Sequence, residues 1–492
     1  MPAQLYRSWL AARGVWLWDN YWYDGIYLPS YSLLYPPLAG LVGNVLLVGI
    51  GGVVSSVLFT DLARRMWGPA ARWGGYVFAL LSCAPLATGE YPYSLGVAAM
   101  VATLWWLSLG RRRAALAGAV LTVGFAPLAF VFLLLVLLGL GLSEGQAAPR
   151  HVRFAASLAV VGTLGGAVVL FLPVSGSQEF PPASLWPALG VLGAGALACL
   201  TAPRRAVRRL GVVLLAWCGA CLVLYSMATP IGYNVTRIQQ VCFPLLLAAL
   251  AGSVPLRPSQ ARGRRQMFHG AFAVGALVAS LNWTAQPYTQ EVIASMHSRL
   301  APAAGWRAVN AFLARHWTPD YRVEVAPTYG HWESYWIGRR YPLARGWYRQ
   351  ADVARNGLLF RPLTAVTYQR WLRDNAVRYV VVPAGHIQGQ YEATLLRSGR
   401  SGLQRLESLP GFTIWQLPLP TPLLSGPAAR ISRYDHASIS GYLPAAGLYR
   451  LRVQFNRFWQ VHGSVRAQLA ADGTTLLNAS HLTRFSLQQP RL

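Results

Sequence analysis

The sequence predicts a polytopic α-helical membrane bundle followed by a carboxy-terminal region of α/β and β-sandwich structure. Apolar residues make up 54% of its 492 residues and charged residues only 12%, which is about half the charged fraction of a soluble domain. Long apolar runs precede Trp283, and short alternating runs replace them afterwards. The arginines of the first part stand mainly in short loops between apolar runs, a placement typical of membrane proteins rather than of nucleic-acid-binding proteins.

The apolar runs predict about eight full spans plus one broken-helix hairpin, since ~20 apolar residues cross a bilayer. The candidate spans are 38–60, 73–89, 93–110, 114–142, 154–173, 184–201, 210–229, 238–255 and 267–283. The run 114–142 is too long for one straight helix and contains Gly124 and Pro127. Because proline breaks a helix, we expect two helices there, 114–124 and 127–142, in a hairpin that is re-entrant or crosses twice.

Arginine clusters predict the orientation of these spans. The chain has 43 arginines and no lysine, against 16 acidic residues. The clusters are Arg64, Arg65 and Arg72; Arg111 to Arg113; Arg150 and Arg153; Arg204, Arg205, Arg208 and Arg209; and Arg257, Arg262, Arg264 and Arg265. With the hairpin, all of them fall on one side of the membrane, which the positive-inside rule makes the cytoplasm. We therefore expect a multi-pass protein of the cytoplasmic membrane whose carboxy-terminal region is extracytoplasmic.

The amino-terminal residues raise a question of topology. Residues 5–18 have the tryptophan-rich, amphipathic character of an interfacial segment, and no cleavable signal peptide is visible. Either these residues are translocated with the first span, or the chain begins downstream of a helix that its relatives possess.

Composition and periodicity divide the chain into four predicted segments. They are an extracytoplasmic amphipathic and aromatic segment at 1–37, a transmembrane domain at 38–283, an extracytoplasmic α/β domain at 284–420 and a small β-sandwich-like domain at 421–492. In the third segment, 304–316 and 364–375 have helical spacing, whereas 320–327 and 377–384 are predicted as strands. From about residue 411, short alternating runs between Gly, Pro and Asp turns predict the sandwich.

Two aspartates in the aromatic segment 18–38 are the first candidates for chemistry. Asp19 and Asp24 immediately precede the first predicted span. A carboxylate beside a membrane cavity can act as general base on an acceptor hydroxyl, or hold a divalent cation such as Mg²⁺ or Mn²⁺. No cofactor other than such a cation is expected. The alternative is a solvated loop with an aromatic belt at the membrane interface.

The segment 329–350 is the second candidate. On a strand, His331 and Glu333 would project from the same face, but no third ligand is evident, so no metal site is predicted. Its arginines, Arg339, Arg340, Arg345 and Arg349, could bind a phosphate, and its tryptophans, Trp332, Trp336 and Trp347, could offer flat faces to a sugar ring. The alternative is a loop that packs on the membrane domain through its aromatic rings, with the arginines meeting lipid headgroups.

Arg237 is a lone cation at the predicted outer end of a span. Charges at membrane depth are expensive and often functional, so Arg237 could bind the phosphate of a lipid carrier. Gln240 continues the polar strip, and Glu90 and Tyr91 lie in another loop predicted on the same side. An interfacial arginine that reaches towards the headgroups is the alternative.

A resemblance follows from the acidic loop ahead of a helix bundle, the broken helix after the third span and the β-containing carboxy-terminal region. This arrangement resembles the C-type superfamily of membrane glycosyltransferases, which use polyprenyl-phosphate sugars as donors. The stretches SYSLLYPPL (30–38) and HWESYWIGRRYPLARGWYRQ (331–350) also resemble bacterial membrane proteins described as related to 6-pyruvoyl-tetrahydropterin synthase, although nothing in them indicates pterin chemistry. The superfamily resemblance implies that Asp19 or Asp24 is the catalytic carboxylate of the first extracytoplasmic loop.

These features together predict an integral membrane glycosyltransferase, of the hexosyl- or pentosyltransferase class if it is catalytic. It would transfer a sugar from a polyprenyl-phosphate donor to an envelope polysaccharide or glycolipid. One alternative is a non-catalytic scaffold or assembly factor of the same architecture, and another is a transporter or flippase. The chain has no Walker-type phosphate loop, which excludes an ATP-driven pump made of this chain alone.

Overall fold

The computed structural model describes residues 1–144, 176–252, 264–296, 298–385, 387–426 and 428–490, together with Leu158, Val161 and Gly162. They form two compact units. The helical unit comprises Met1 and Ser30–Met296, and the mixed unit comprises Pro2–Pro29 and His297–Leu492.

The helical unit is built from helices of unequal length. Its α-helices are Tyr35–Val42, Asn44–Trp67, Arg72–Leu81, Pro85–Thr88, Tyr91–Ser108, Arg112–Phe125, Pro127–Glu144, Pro182–Leu200, Arg205–Ser226, Gln239–Leu250 and Arg264–Met296. Among the described residues, three helices are long and apolar enough to cross a membrane, namely Asn44–Trp67, Pro182–Leu200 and Arg205–Ser226, and Pro127–Ser143 is a shorter apolar helix. The chain is thus an integral membrane protein by helix length and composition.

Several predicted spans differ from the helices observed. The run 38–60 is divided at Gly43, whose positive φ of 91° ends one helix before the next begins. The run 73–89 is likewise two helices, Arg72–Leu81 and Pro85–Thr88. The run 154–173 lies outside the described residues. The structure therefore describes fewer membrane-length helices than the eight spans predicted.

The break predicted near Gly124 and Pro127 is present at Ala126. The helix Arg112–Phe125 ends there, and Ala126 is extended (φ −154°, ψ 106°) before Pro127–Glu144 begins. Proline disfavours the helical conformation of the residue before it. The backbone N–H groups of Leu33 and Leu34 donate to the Gly124 carbonyl at 2.9 and 3.0 Å. The carbonyl at the break thus keeps hydrogen-bond partners, which a backbone group away from water requires.

The core of the helical unit combines stacked rings with close helix contacts. Phe59 stacks on Phe78 with ring centres 4.4 Å apart, and the edge of Phe132 meets Trp217. At Gly74, an added Cβ would lie within 2.5 Å of backbone and side-chain atoms of the helix Gln239–Leu250. Small residues allow this close approach of helices in a membrane.

The first part of the mixed unit is a four-stranded sheet with helices. The strand order is Arg322–Val325, Val377–Pro383, Phe412–Gln416 and Gln404–Leu409, with the first pair parallel and the others antiparallel. Its α-helices are Arg307–His316, Glu333–Trp336, Arg349–Asn356, Ala365–Asp374 and Gln390–Arg397. Two of these strands lie within the predicted runs 320–327 and 377–384. Thr364 begins the helix Ala365–Asp374 because its side chain accepts the Thr367 N–H at 3.2 Å in a capping box.

The last part of the mixed unit consists of two antiparallel sheets that share one apolar core. One sheet has the order Gln460–His462, Thr483–Gln488, Ser438–Leu443 and Arg430–Tyr434, and the other has the order Val465–Leu469, Thr474–Ala479 and Gly447–Gln454. Alternating buried residues such as Ile439 and Leu443 supply this core, as expected for strands with one buried face.

The amino-terminal segment belongs to the mixed unit up to Pro29 and not to a segment of its own at 1–37. It contains the helix Pro2–Ala11 and a small antiparallel pair of strands, Trp18–Asp19 and Ile26–Tyr27. The ring of Tyr21 is part of the apolar core of the sheets, and its carbonyl accepts the Leu343 N–H at 2.8 Å. These contacts join residues hundreds of positions apart, which explains why composition alone placed the boundary later.

Candidate functional site

The helical unit contains a polar group that we call the Arg237 cluster, formed by Glu90, Tyr93, Asn234, Arg237 and Gln240. Arg237 Nη1 lies 3.1 Å from Glu90 Oε1, and Arg237 Nε donates to Asn234 Oδ1 at 3.1 Å. The guanidinium carbon lies 5.5 Å from the centre of the Tyr93 ring, within the range of a cation–π contact. Gln240 Nε2 donates to the other carboxylate oxygen of Glu90.

Local structure explains how these side chains meet. Glu90 immediately precedes the helix Tyr91–Ser108, where the partial positive charge of a helix amino terminus favours a carboxylate. Asn234 and Arg237 lie three residues apart on the 3₁₀-helix Gly232–Ile238, so their side chains share one face. That helix continues directly into Gln239–Leu250, which carries Gln240 on its first turn.

Arg237 keeps one donor group available. Its side chain is 33% exposed and that of Glu90 is 22% exposed. Among the residues that the structure describes, Nη2 of Arg237 has no hydrogen-bond partner, whereas Nε and Nη1 are held by Asn234 and Glu90. The guanidinium is thus fixed in orientation while one nitrogen can donate to an anion.

Of the four predicted binding residues in the helical unit, Glu90, Arg237 and Gln240 are in contact, whereas the Tyr91 hydroxyl makes a different contact. Tyr91 is buried, and its hydroxyl donates to the Leu86 carbonyl at 3.2 Å. Tyr93 and Asn234 were missed by the sequence analysis. The i, i+3 spacing of Asn234 and Arg237 is the signal that could have revealed the asparagine.

Asp19, a predicted catalytic residue, is completely buried within the mixed unit. Its Oδ2 accepts from the Tyr6 hydroxyl at 2.7 Å, and its Oδ1 lies 2.9 Å from His436 Nδ1 and accepts the Tyr21 N–H at 3.1 Å. Burial and the nearby charge of Asp19 raise the pKa of Tyr6 well above its usual value, so Tyr6 stays a donor. Asp19 therefore anchors the amino-terminal helix to the loop at His436.

Asp24, the other predicted catalytic residue, also has both oxygens engaged. Arg355 Nη1 lies 3.0 Å from its Oδ1, and Gln454 Nε2 donates to its Oδ2 at 2.9 Å. Tyr23 and Asp24 both have positive φ angles, 53° and 57°, a conformation that costs a non-glycine residue about 1–2 kcal/mol. Arg355 also donates to the carbonyls of Tyr23 and Gly25, which stabilises this turn.

The segment 329–350 forms turns, the one-turn helix Glu333–Trp336 and the start of the helix Arg349–Asn356, rather than a strand. His331 and Glu333 are nevertheless adjacent, because His331 has a positive φ of 53° and its Nδ1 lies 3.1 Å from Glu333 Oε1. Thr328 Oγ1 donates to the other oxygen of Glu333 at 2.7 Å. The His331 ring stacks on Trp347 with centres 3.3 Å apart. These buried contacts hold the segment in place.

Trp332 and Arg349 are two further residues of this segment predicted to bind substrate, and both lie against aromatic rings. Trp332 lies nearly parallel to Trp336, at 6.3 Å between ring centres. The Arg349 guanidinium lies 4.8 Å from the centre of the Phe360 ring. Neither residue belongs to the Arg237 cluster, and their roles in substrate binding stay predictions.

Arg345, predicted to bind phosphate, instead lies at the centre of a buried group that we call the Arg345 cluster. Asp352 accepts hydrogen bonds from Nε at 3.0 Å and from Nη2 at 2.7 Å. Glu392 accepts one from Nη1 at 2.7 Å, and Glu324 lies 3.5 Å from the same nitrogen. Burial raises the pKa of Glu324 well above its usual value, and the charge of Glu392 adds to this. All three nitrogens of Arg345 face these carboxylates and the side chain is only 7% exposed, so its charge is compensated inside the fold.

No ligand set for the predicted divalent cation is found among the residues that the structure describes, where no group of three or more His, Cys, Asp or Glu is placed to hold a metal ion. The oxygens of Asp19 and Asp24 are occupied by the hydrogen-bond donors named above. The residues present therefore do not fit a cation at either aspartate.

Comparisons with known proteins find matches to this chain among solved structures alone. No family model and no curated protein matches it, so the resemblance to the pterin-synthase-related proteins has no support from a family comparison. Twelve chains of solved structures are similar to it. One is the apo crystal structure of ArnT from Cupriavidus metallidurans, at 13% identity and a TM-score of 0.39, with 84% of this chain and 92% of that chain covered. A likeness of this size establishes neither a shared fold nor a shared activity.

Proposed function

We propose that the protein is a membrane transferase that uses a polyprenyl-phosphate sugar as donor and binds the donor phosphate at Arg237. The observation that supports this proposal is the partly exposed Arg237 guanidinium, held by Glu90 and Asn234 with one nitrogen unpaired among the described residues. Guanidinium makes charge-assisted hydrogen bonds to phosphate oxygens. The exposed apolar faces of the helices offer the surroundings that a polyprenyl tail requires.

The proposed reaction exchanges one glycosidic bond for another. An acceptor hydroxyl oxygen forms a bond to the anomeric carbon of the sugar, while the bond from that carbon to the phosphate oxygen breaks. Arg237 stabilises the negative charge that develops on the departing lipid phosphate. The acceptor proton passes to a carboxylate acting as general base, and Glu90 is the described carboxylate beside Arg237.

The orientation of the protein in the membrane is part of the proposal. The Asp61–Arg65 pair lies at the other end of the helix Tyr91–Ser108 from Glu90, because Trp105 Nε1 donates to Asp61 Oδ2 at 2.7 Å. Residues 90 and 105 are about 22 Å apart along a helix axis. The arginine-rich end carrying Arg65 would be cytoplasmic, and the Arg237 cluster would lie at the extracytoplasmic end, in a bacterial cytoplasmic membrane.

The test is transfer of a labelled sugar by the full-length protein in proteoliposomes that contain polyprenyl-phosphate sugars and an extract of envelope acceptors. We expect Arg237→Gln to lower kcat/KM at least 100-fold, since removal of a group that stabilises developing charge has effects of ~10²–10³. Arg65→Gln is the matched control, because it also breaks an arginine–carboxylate pair in the helical unit and should change transfer less than twofold. Equal activity of the two variants would contradict the proposal.

A second candidate is a non-catalytic scaffold of the same architecture, presenting its mixed unit to envelope polymers. It is favoured by the engagement of both predicted catalytic aspartates in contacts within the mixed unit. A scaffold binds polyprenyl phosphate or envelope glycan without turnover. Donor binding that depends on Arg237, with no transfer to any acceptor fraction by the wild-type protein, would favour this candidate.

A further inference from the structure

A cavity of about 310 Å³ lies in the mixed unit at the end of the four-stranded sheet. Its lining residues are Val382, Pro383, Ala384, Gly385, Arg397, Arg405, Thr413 and Trp415. Thr413 and Trp415 are two residues apart on the strand Phe412–Gln416, so they share a face. Arg405 pairs with Trp415 across the sheet, and Arg397 ends the helix Gln390–Arg397.

The two arginines of this cavity are held in place but not neutralised. Arg397 Nη2 donates to the carbonyls of Pro383 and Gly385 at 2.7 and 3.0 Å, and Arg405 Nη2 donates to Ser408 Oγ at 2.7 Å. Within the described ranges of the chain, neither guanidinium forms an ion pair with a carboxylate, and each keeps two nitrogens without a partner. Both side chains are exposed to solvent, and two positive charges with spare donors at one cavity favour the binding of an anion.

Further donors line the same cavity. Thr413 Oγ1 makes no hydrogen bond to any residue that the structure describes. The indole Nε1 of Trp415 is buried and has no acceptor among those residues, and a buried donor without an acceptor is costly. The cavity is thus lined by residues whose charged and neutral donors are only partly used by the described residues.

We propose that this cavity binds an oxyanion, the phosphate ester or carboxylate of a molecule about the size of one sugar ring. The guanidinium groups of Arg397 and Arg405 bind the anionic group, and Thr413 donates to it. The cavity volume is at the lower end of that of small-molecule sites, ~300–1,000 Å³. The proposal concerns binding alone and does not rest on the transfer reaction.

Calorimetric titration of the full-length protein in detergent micelles tests the proposal. The probes are glucose 6-phosphate and glucuronate, with glucose as the neutral control. We expect at least one anionic probe to bind, with binding weakened by added NaCl, and glucose to bind at least tenfold more weakly. The stronger of the two anionic probes identifies whether the preferred group is a phosphate or a carboxylate.

Substitutions then assign the binding to this cavity. Arg397→Gln and Arg405→Gln should each weaken binding of the anionic probe at least fivefold, and Thr413→Val about threefold, since it removes one neutral donor. Arg400→Gln is the matched control, because Arg400 is exposed in the same unit but does not line the cavity. Because each single variant is tested separately, misfolding of one leaves the others informative. Equal affinity in the cavity variants and the control, equal binding of glucose, or no binding of either anionic probe at 50-fold excess would overturn the proposal.

Discussion

Arg345 and Arg237 both form ion pairs with carboxylates, but their side chains are 7% and 33% exposed. In the Arg345 cluster every guanidinium nitrogen faces a carboxylate, and the three carboxylates outnumber the single arginine. In the Arg237 cluster one carboxylate faces the arginine, and one nitrogen has no partner among the described residues. An arginine in a candidate motif is therefore able to bind substrate only where the fold leaves one of its donors unused.

If the Arg345 cluster is structural, its loss should have the largest effect on stability. Arg345→Met leaves Glu324, Asp352 and Glu392 buried without a cation, which costs about 3–5 kcal/mol. Denaturant unfolding of the full-length protein, followed through amide exchange of the strand Val377–Pro383, measures this loss. Arg349→Met is the control, because Arg349 contacts the Phe360 ring and should cost less than about 1 kcal/mol. Similar losses in both variants would show that the carboxylates do not depend on Arg345.

Asp19 provides the next largest effect and separates anchoring from catalysis. Asp19→Asn keeps the shape of the side chain but removes the charge that His436 and Tyr6 face, so we expect a loss of about 1–3 kcal/mol. Protease cleavage of residues 12–17 should then become faster. Asp472→Asn, at an exposed pair with Arg450, should leave cleavage unchanged. Loss of sugar transfer at unchanged stability would instead support the catalytic role that the sequence predicts for Asp19.

Glu324 gives the Arg345 cluster a dependence on pH. Because its pKa is raised in the folded protein, the folded state holds a proton that the unfolded state releases above about pH 4.3. Stability from this group is therefore present at lower pH and is lost as pH rises through the folded pKa. We expect Glu324→Gln to be more stable than wild type at pH 7, and the difference to shrink towards pH 4. A difference that does not change with pH would show that Glu324 is ionised in the fold.

Local sequence patterns predicted much of the fold. Contacts between residues that are far apart in the chain account for the features that these patterns missed. The extended residue before Pro127 and the strand Val377–Pro383 follow from rules that act within a few residues. By contrast, Asp19 meets His436 from 417 positions away, and no periodicity in one sequence reveals such a pair. The same limit explains Arg345, whose phosphate-binding prediction rested on the nearby arginines of the segment 329–350, while its partner Glu392 lies 47 positions later.

The Arg237 cluster should show the smallest effect on stability and thereby complete the comparison with Arg345. Partly exposed ion pairs contribute ~0–1 kcal/mol, so Arg237→Gln should change unfolding by less than about 1 kcal/mol. The same variant should weaken binding of a short-chain polyprenyl phosphate at least tenfold, because the guanidinium is the charge that the phosphate meets. Glu90→Gln keeps the shape of the side chain beside Gln240 and should also change stability by less than about 1 kcal/mol. It should lower sugar transfer more than phosphate binding, since it removes a proton acceptor. A stability loss near that of Arg345→Met would mean that both clusters hold the fold, and unchanged phosphate binding by Arg237→Gln would contradict the binding role of Arg237.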